Sequence, residues 1–150
     1  MLTLVPAIKA VWSLRGRRQR PPALPVPPGL DVSEFLRLAR LSFVRLQAAW
    51  DAADLGTLER LTTGPMLADL GEQLSARGGA LNHTDVLDVQ ARLLAFEELR
   101  EAFVASVEFT GLIREQADGD ATEFRELWLL TRLKAQSGEA WQLAQVQALA

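Results

Sequence analysis

The sequence contains no cysteine and no tyrosine, one histidine (His83), and only two lysines, Lys9 and Lys134, among sixteen basic residues. Without cysteine there is no disulfide framework, no thiol nucleophile and no cysteine-bearing zinc or iron–sulfur site. A single histidine rules out a two-histidine metal site within one chain. No phosphate loop or dinucleotide fingerprint is present, because the glycines are dispersed at turns. Long apolar runs are also missing. Met1 to Leu14 is mostly apolar but is broken by Pro6 and Lys9, and a spanning helix needs about 20 apolar residues. The sequence therefore predicts neither a metal nor an organic cofactor.

What is present amounts to one ordinary domain. The chain has 150 residues, 49% of them hydrophobic and 23% charged, enough for one core and too few for two. The net charge of −3 is unevenly divided. Residues 1–30 carry Lys9, Arg15, Arg17, Arg18 and Arg20 and no acid, whereas residues 31–150 carry 11 basic against 19 acidic side chains. An acidic body does not suit nucleic acid, which needs a broad basic surface. In the arm, residues 1–20, the apolar stretch precedes the basic one, which is the order of a membrane helix leaving on its cytoplasmic side. Trp12, Arg15, Arg17, Arg18 and Arg20 are the candidate contacts to an anionic membrane surface. Five prolines lie within residues 21–29, so residues 21–30 read as a semi-rigid linker.

The body, residues 31–150, changes period midway. Asp31 with Glu34 opens a helix over about Val32 to Ala52. Its apolar face carries Phe35, Ala39, Phe43, Leu46 and Trp50. Leu41 and Val44 interrupt the opposite face, where Arg37, Arg40 and Arg45 lie. A short helix over Leu55 to Leu61 follows. A third begins at Pro65, carries Met66, Leu67, Leu70 and Leu74, and ends at Gly78-Gly79. From Thr84 the period becomes two. Leu87 to Leu93 alternates, slips parity at Leu93-Leu94 and so predicts a bulge. Phe103 to Thr110, Thr122 to Ala135 and Trp141 to Ala148 complete four strands, with Asp118-Gly119 as a hairpin signal. Helices followed by an antiparallel meander make an α+β fold. Leu127 to Leu130 is apolar on both parities, so a loop, a ligand or a second copy should cover the outer sheet face near Trp128.

Chemistry has few candidates. Glu126 shares parity with Phe124 and Trp128 and is the best placed polar group for an apolar pocket. The competing expectation has it face solvent or pair with an arginine such as Arg132. A small isomerase or hydrolase would use Glu126 or Asp88, with His83 as a helper; His83 otherwise reads as a loop residue.

Several stretches resemble one family in order and spacing. They are Val26-Pro27-Pro28-Gly29-Leu30-Asp31-Val32, Leu46 to Leu55, Thr62-Thr63-Gly64-Pro65-Met66, and Asn82-His83-Thr84-Asp85-Val86. Val107 to Glu115, Phe124 to Trp128, and Trp141 to Gln147 complete the set. Together they resemble the Tim44-like domain, the C-terminal domain of the mitochondrial inner-membrane import-motor scaffold, in its bacterial branch. The resemblance covers about residues 26–148. It implies a cystatin-like or nuclear-transport-factor-two-like cone, in which helices pack on a curved four-stranded antiparallel sheet around an apolar pocket. It further implies a non-catalytic, membrane-associated scaffold linked to protein translocation or membrane-protein assembly. Acidic lipid or apolar ligands and a protein partner or homodimer would bind it, on the cytoplasmic side of a bacterial inner membrane. In bacterial relatives a hydrophobic membrane segment usually precedes the proline-rich spacer; here the N-terminus begins where such a segment would be ending. On this reading Phe35, Phe43, Leu46, Trp50, Phe109, Trp128 and Trp141 line the pocket.

Overall fold

The computed structural model describes residue 26 and residues 29–78, 83–116, 118–135 and 141–149. The arm with Trp12, Arg15, Arg17, Arg18 and Arg20, most of the proline linker, and the turn around Gly138 lie outside the described residues.

Three helices come first: α1 (Val32–Asp51), α2 (Leu55–Leu61) and α3 (Gly64–Arg77). Asp31 caps α1 by accepting the Glu34 amide at 3.1 Å. The reciprocal half of a capping box is not made, because Glu34 turns to Arg37 instead, at 2.6 and 2.9 Å. Asp54 caps α2 through the Thr57 amide. Pro65 occupies the first turn of α3, and Gly78 closes it at φ 72°, a conformation glycine adopts without Cβ strain.

Four strands follow: β1 (Asp85–Glu98), β2 (Ala102–Arg114), β3 (Thr122–Leu133) and β4 (Gln142–Ala148). They form one antiparallel sheet in the order β1-β2-β3-β4, so the expected α+β class and meander are both found. The register shift between Leu93 and Ala95 sits where the parity slips in the sequence. Two further shifts, between Val86 and Asp88 and between Leu129 and Leu130, have no such sequence signal. Strand β2 runs on to Arg114, past the expected end at Thr110.

One sheet face packs on the helices. Ala105, Val107 and Phe109 of β2, Trp128 and Leu130 of β3, and Leu143 and Val146 of β4 meet Phe35, Phe43, Leu46 and Trp50 of α1. Phe43 is the hub. Its ring lies 5.0 Å from Phe109, 5.1 Å from Phe124 and 5.0 Å from Trp128. Each such aromatic pair adds about 0.5–1.5 kcal/mol beyond burial alone. At the C-terminal end of α1, buried Asp51 accepts the Thr84 amide at 2.7 Å and the Gln47 side chain at 3.0 Å, tying helix to sheet. Arg77 of α3 stacks 4.9 Å over Trp50 and donates to the Trp50 carbonyl, fastening α3 to the same end. Thr63 donates its amide to the Leu143 carbonyl, so the α2–α3 junction covers part of the β4 edge.

The opposite sheet face is the one expected to be covered. Trp128 itself points at the helices and is fully buried in the core, so anything on the outer face would meet its strand neighbours and not its indole. Leu127, on the outer side between Glu108 and Gln147, is itself buried within the single chain. Beside it Glu108 accepts Arg92 at 3.0 Å and Arg125 at 2.7 and 2.9 Å. A carboxylate that would be costly to bury alone is thereby paired twice.

Candidate functional site

An open cavity of about 290 Å³ lies along one flank of α1. Helix α1 supplies Phe35, Leu38, Ala39, Leu41, Ser42 and Arg45, α2 supplies Leu61, and the sheet supplies Leu130 with Trp141 just before β4. These residues come together because α1 leans on the sheet through its Phe43 face. The flank one step round the helix is then left facing past the sheet. Trp141 closes one end, edge-on to Phe35 at 5.0 Å and to Phe96 at 5.9 Å.

Of the seven residues expected to line a pocket, Phe35 and Trp141 reach this groove. Phe43, Leu46, Trp50, Phe109 and Trp128 are instead buried in the core and do not line the groove. Large aromatic side chains at facing positions interdigitate, and a close-packed interior does not hold a cavity open for them. Leu38, Ala39, Leu41, Ser42, Arg45, Leu61 and Leu130 line the groove without having been singled out for it. Leu41 carried a signal, as an apolar residue on the polar face of α1. It is 49% exposed and Val44 is 41% exposed. The exposed crest of α1 thus carries two aliphatic side chains, with Arg37, Arg40 and Arg45 on the same helix.

The groove's polar lining is confined to Ser42 and Arg45. A cation at the rim of an apolar trough can hold an anionic head above a buried chain. Among the described residues no carboxylate or histidine lines the trough, and Ser42 has no base beside it in that lining. The volume falls at the lower end of small-ligand clefts, about 300–1,000 Å³.

The candidate acids lie elsewhere. Asp88 is exposed on β1, accepts the Gln90 side chain and does not line the groove. His83 precedes β1, largely exposed and 3.0 Å from Asp85. Glu126 is only 2% exposed and faces the core on β3. Its Oε1 accepts the Trp128 indole N–H at 2.8 Å, and no ion pair with Arg132 forms. Burial pushes its carboxyl up to about 7, against the opposing effect of the indole. Glu126 is thus a buried, perturbed acid, but it does not line the groove. No cluster of His, Asp or Glu among the described residues could hold a metal ion. Among the same residues no helix is long and apolar enough to cross a membrane.

Comparisons with known proteins bear on the whole body. The intermembrane space region of the chloroplast protein ARC6 superposes with a TM-score of 0.50 at 14% identity, over 82% of this chain and 99% of that one. A nuclear transport factor 2-like superfamily protein from Salmonella enterica aligns at 0.48 and 14% identity, over 79% and 92% of the two chains. A ketosteroid isomerase-like protein from Erwinia carotovora atroseptica aligns at 0.42 and 16% identity, over 78% and 98%. No curated protein matches in sequence. At these identities a structural likeness speaks for the fold alone. The family model for the Tim44-like domain matches residues 23–148, nearly the entire body, and the chain belongs to the Tim44-like domain family.

Proposed function

We propose that this chain is a non-catalytic binding domain that works at an anionic membrane surface. Its groove beside α1 takes an apolar chain, and Arg45 meets the anionic head attached to it. The observation that carries this reading is the groove's make-up: an apolar trough whose polar lining is one serine and one arginine. Arg37, Arg40 and Arg45 add about 1 kcal/mol each when close to anionic headgroups. Leu41 and Val44 supply apolar contact at the same crest. In the arm, Trp12, Arg15, Arg17, Arg18 and Arg20 add a second, independent membrane contact. The biological setting is that of a scaffold in protein translocation or membrane-protein assembly, with a protein partner, at the cytoplasmic face of a bacterial inner membrane.

Co-flotation with vesicles tests this. The full chain should float with phosphatidylglycerol vesicles at low salt and much less with phosphatidylcholine. Replacing Arg40 and Arg45 by Glu should reduce flotation at least tenfold. Equal flotation with both lipids, or no loss in the double variant, would overturn it.

One observation favours a second reading, a pocket enzyme using the buried acid Glu126. That reading requires a substrate path to Glu126 separate from the groove. Proton exchange of a carbon acid that disappears in Glu126→Gln would support it.

A further inference from the structure

Glu126 does nothing in the groove, yet it occupies the point where α1 is held. On β3 its neighbours on the same face are Phe124 and Trp128. Across the strands stand Phe109 of β2 and Ala148 of β4. Phe43 descends from α1 onto this patch and touches Phe124, Phe109 and Trp128. The carboxyl therefore lies within the aromatic cluster that anchors the helix, with one hydrogen bond, from the Trp128 indole.

Among the described residues no charge comes to meet it. The residues that β2, β4 and α1 present there are Phe109, Ala148 and Phe43. Glu108 and Arg125, adjacent in register, pair with each other on the opposite face of the sheet. The buried acid of α1, Asp51, is engaged by Thr84 and Gln47 at the end of the helix. Burial and the indole bond account for the perturbation of Glu126, with no contribution from another ion. An uncharged carboxyl is tolerated in such a place, whereas a carboxylate with a single donor is left largely uncompensated.

We infer that Glu126 is a proton-operated latch between the sheet and α1: protonated, it lets the aromatic cluster close on Phe43, and ionised, it loosens the helix. Helix α1 also carries most of one wall of the groove, so loosening it changes the groove. The inference itself rests on the packing around Glu126 and holds whatever the groove binds.

The sign follows from linkage. The folded carboxyl sits above its ordinary value of 4.5, at about 7, so the closed form holds the proton more tightly than an opened form. Closure is therefore fully favoured below pH 4.5 and weakens about tenfold per pH unit up to about 7, where the loss levels off. Across that window the opening constant should rise about 300-fold.

Hydrogen exchange of the full chain, read by mass spectrometry from pH 4.5 to 8 and corrected for intrinsic exchange rates, tests this. Peptides within residues 35–50 should lose protection across the window more steeply than peptides within β2. In Glu126→Gln, a neutral isostere that can still accept the indole N–H, their protection should stay flat. An unchanged pH profile in that variant would overturn the latch, as would an equal loss in β2. Should the variant fail to fold, carbon-detected titration of the Glu126 carboxyl in the unaltered chain decides the matter. A midpoint near 7 supports the latch, and a midpoint near 4.5 overturns it. Trp128→Phe should move the midpoint upward, because it removes the one donor that favours the ionised form.

Discussion

Single residues set the tolerances of this fold, and Gly111 has the tightest. A Cβ there would run into the carbonyl oxygen of Asp88, on the β1 bulge that packs against it. Gly111→Ala should therefore destabilise the protein by about 3 kcal/mol or more, since backbone must move to relieve the clash. Urea unfolding measures it, and an unchanged midpoint would show that the bulge relaxes freely. A glycine inside an alternating strand is the one sequence sign of this bulge, and the alternation reading passed over it. By contrast the Leu93 bulge was legible, because an apolar run that changes parity has to insert a residue to keep Phe96 on the core side. Phe43 is the other sensitive position. Phe43→Ala removes three ring contacts from the core, and such truncations cost about 3–5 kcal/mol.

At the scale of elements, α1 governs both the packing and the candidate site. Its amphipathic face was plain from spacing because Phe35, Ala39, Phe43, Leu46 and Trp50 recur at helical period. The groove was not legible in the same way. Periodicity tells which residues face the core but not how fully that core closes. The aromatic residues expected around a pocket close it, and the space opens beside the helix instead. Besides Phe35 and Trp141, Leu41, apolar where the pattern asks for a polar residue, pointed there. The helix is fixed at its far end by Asp51. Asp51→Ala leaves the part-buried Thr84 amide and the Gln47 side chain without this acceptor, and should cost about 2 kcal/mol. Asp51→Asn, which keeps an acceptor oxygen, should cost less, and denaturant titration of the two variants separates them. Should both cost nothing, the tie between α1 and β1 would contribute nothing to stability.

For the whole molecule, charge distribution matters more than total charge. The body carries 11 basic against 19 acidic residues, so taken as a sphere it is repelled by anionic lipid. The proposed binding would then be local and oriented, through the α1 crest and the arm. At about 0.15 M salt, charges beyond roughly 8 Å are screened, which weakens the repulsion from the distant acidic surface. Moderate salt should thus weaken binding less than a uniform charge model predicts, and high salt should abolish the arginine contribution. Flotation across a salt series, with and without residues 1–20, separates arm from crest. If removing the arm abolishes binding at every salt concentration, the crest contributes nothing.

Among the described residues, what the groove's lining offers a ligand is apolar area and a cation. The central claim is that the α1 groove is where a membrane amphiphile binds. Backbone amide NMR of the full chain, titrated with a short-chain phosphatidylglycerol below its micelle concentration, tests it most directly. The account predicts shifts concentrated at Leu38, Leu41, Ser42, Arg45 and Leu61 and at the Trp141 indole. Shifts confined to the outer sheet face around Leu129, or no shifts at all, would contradict it.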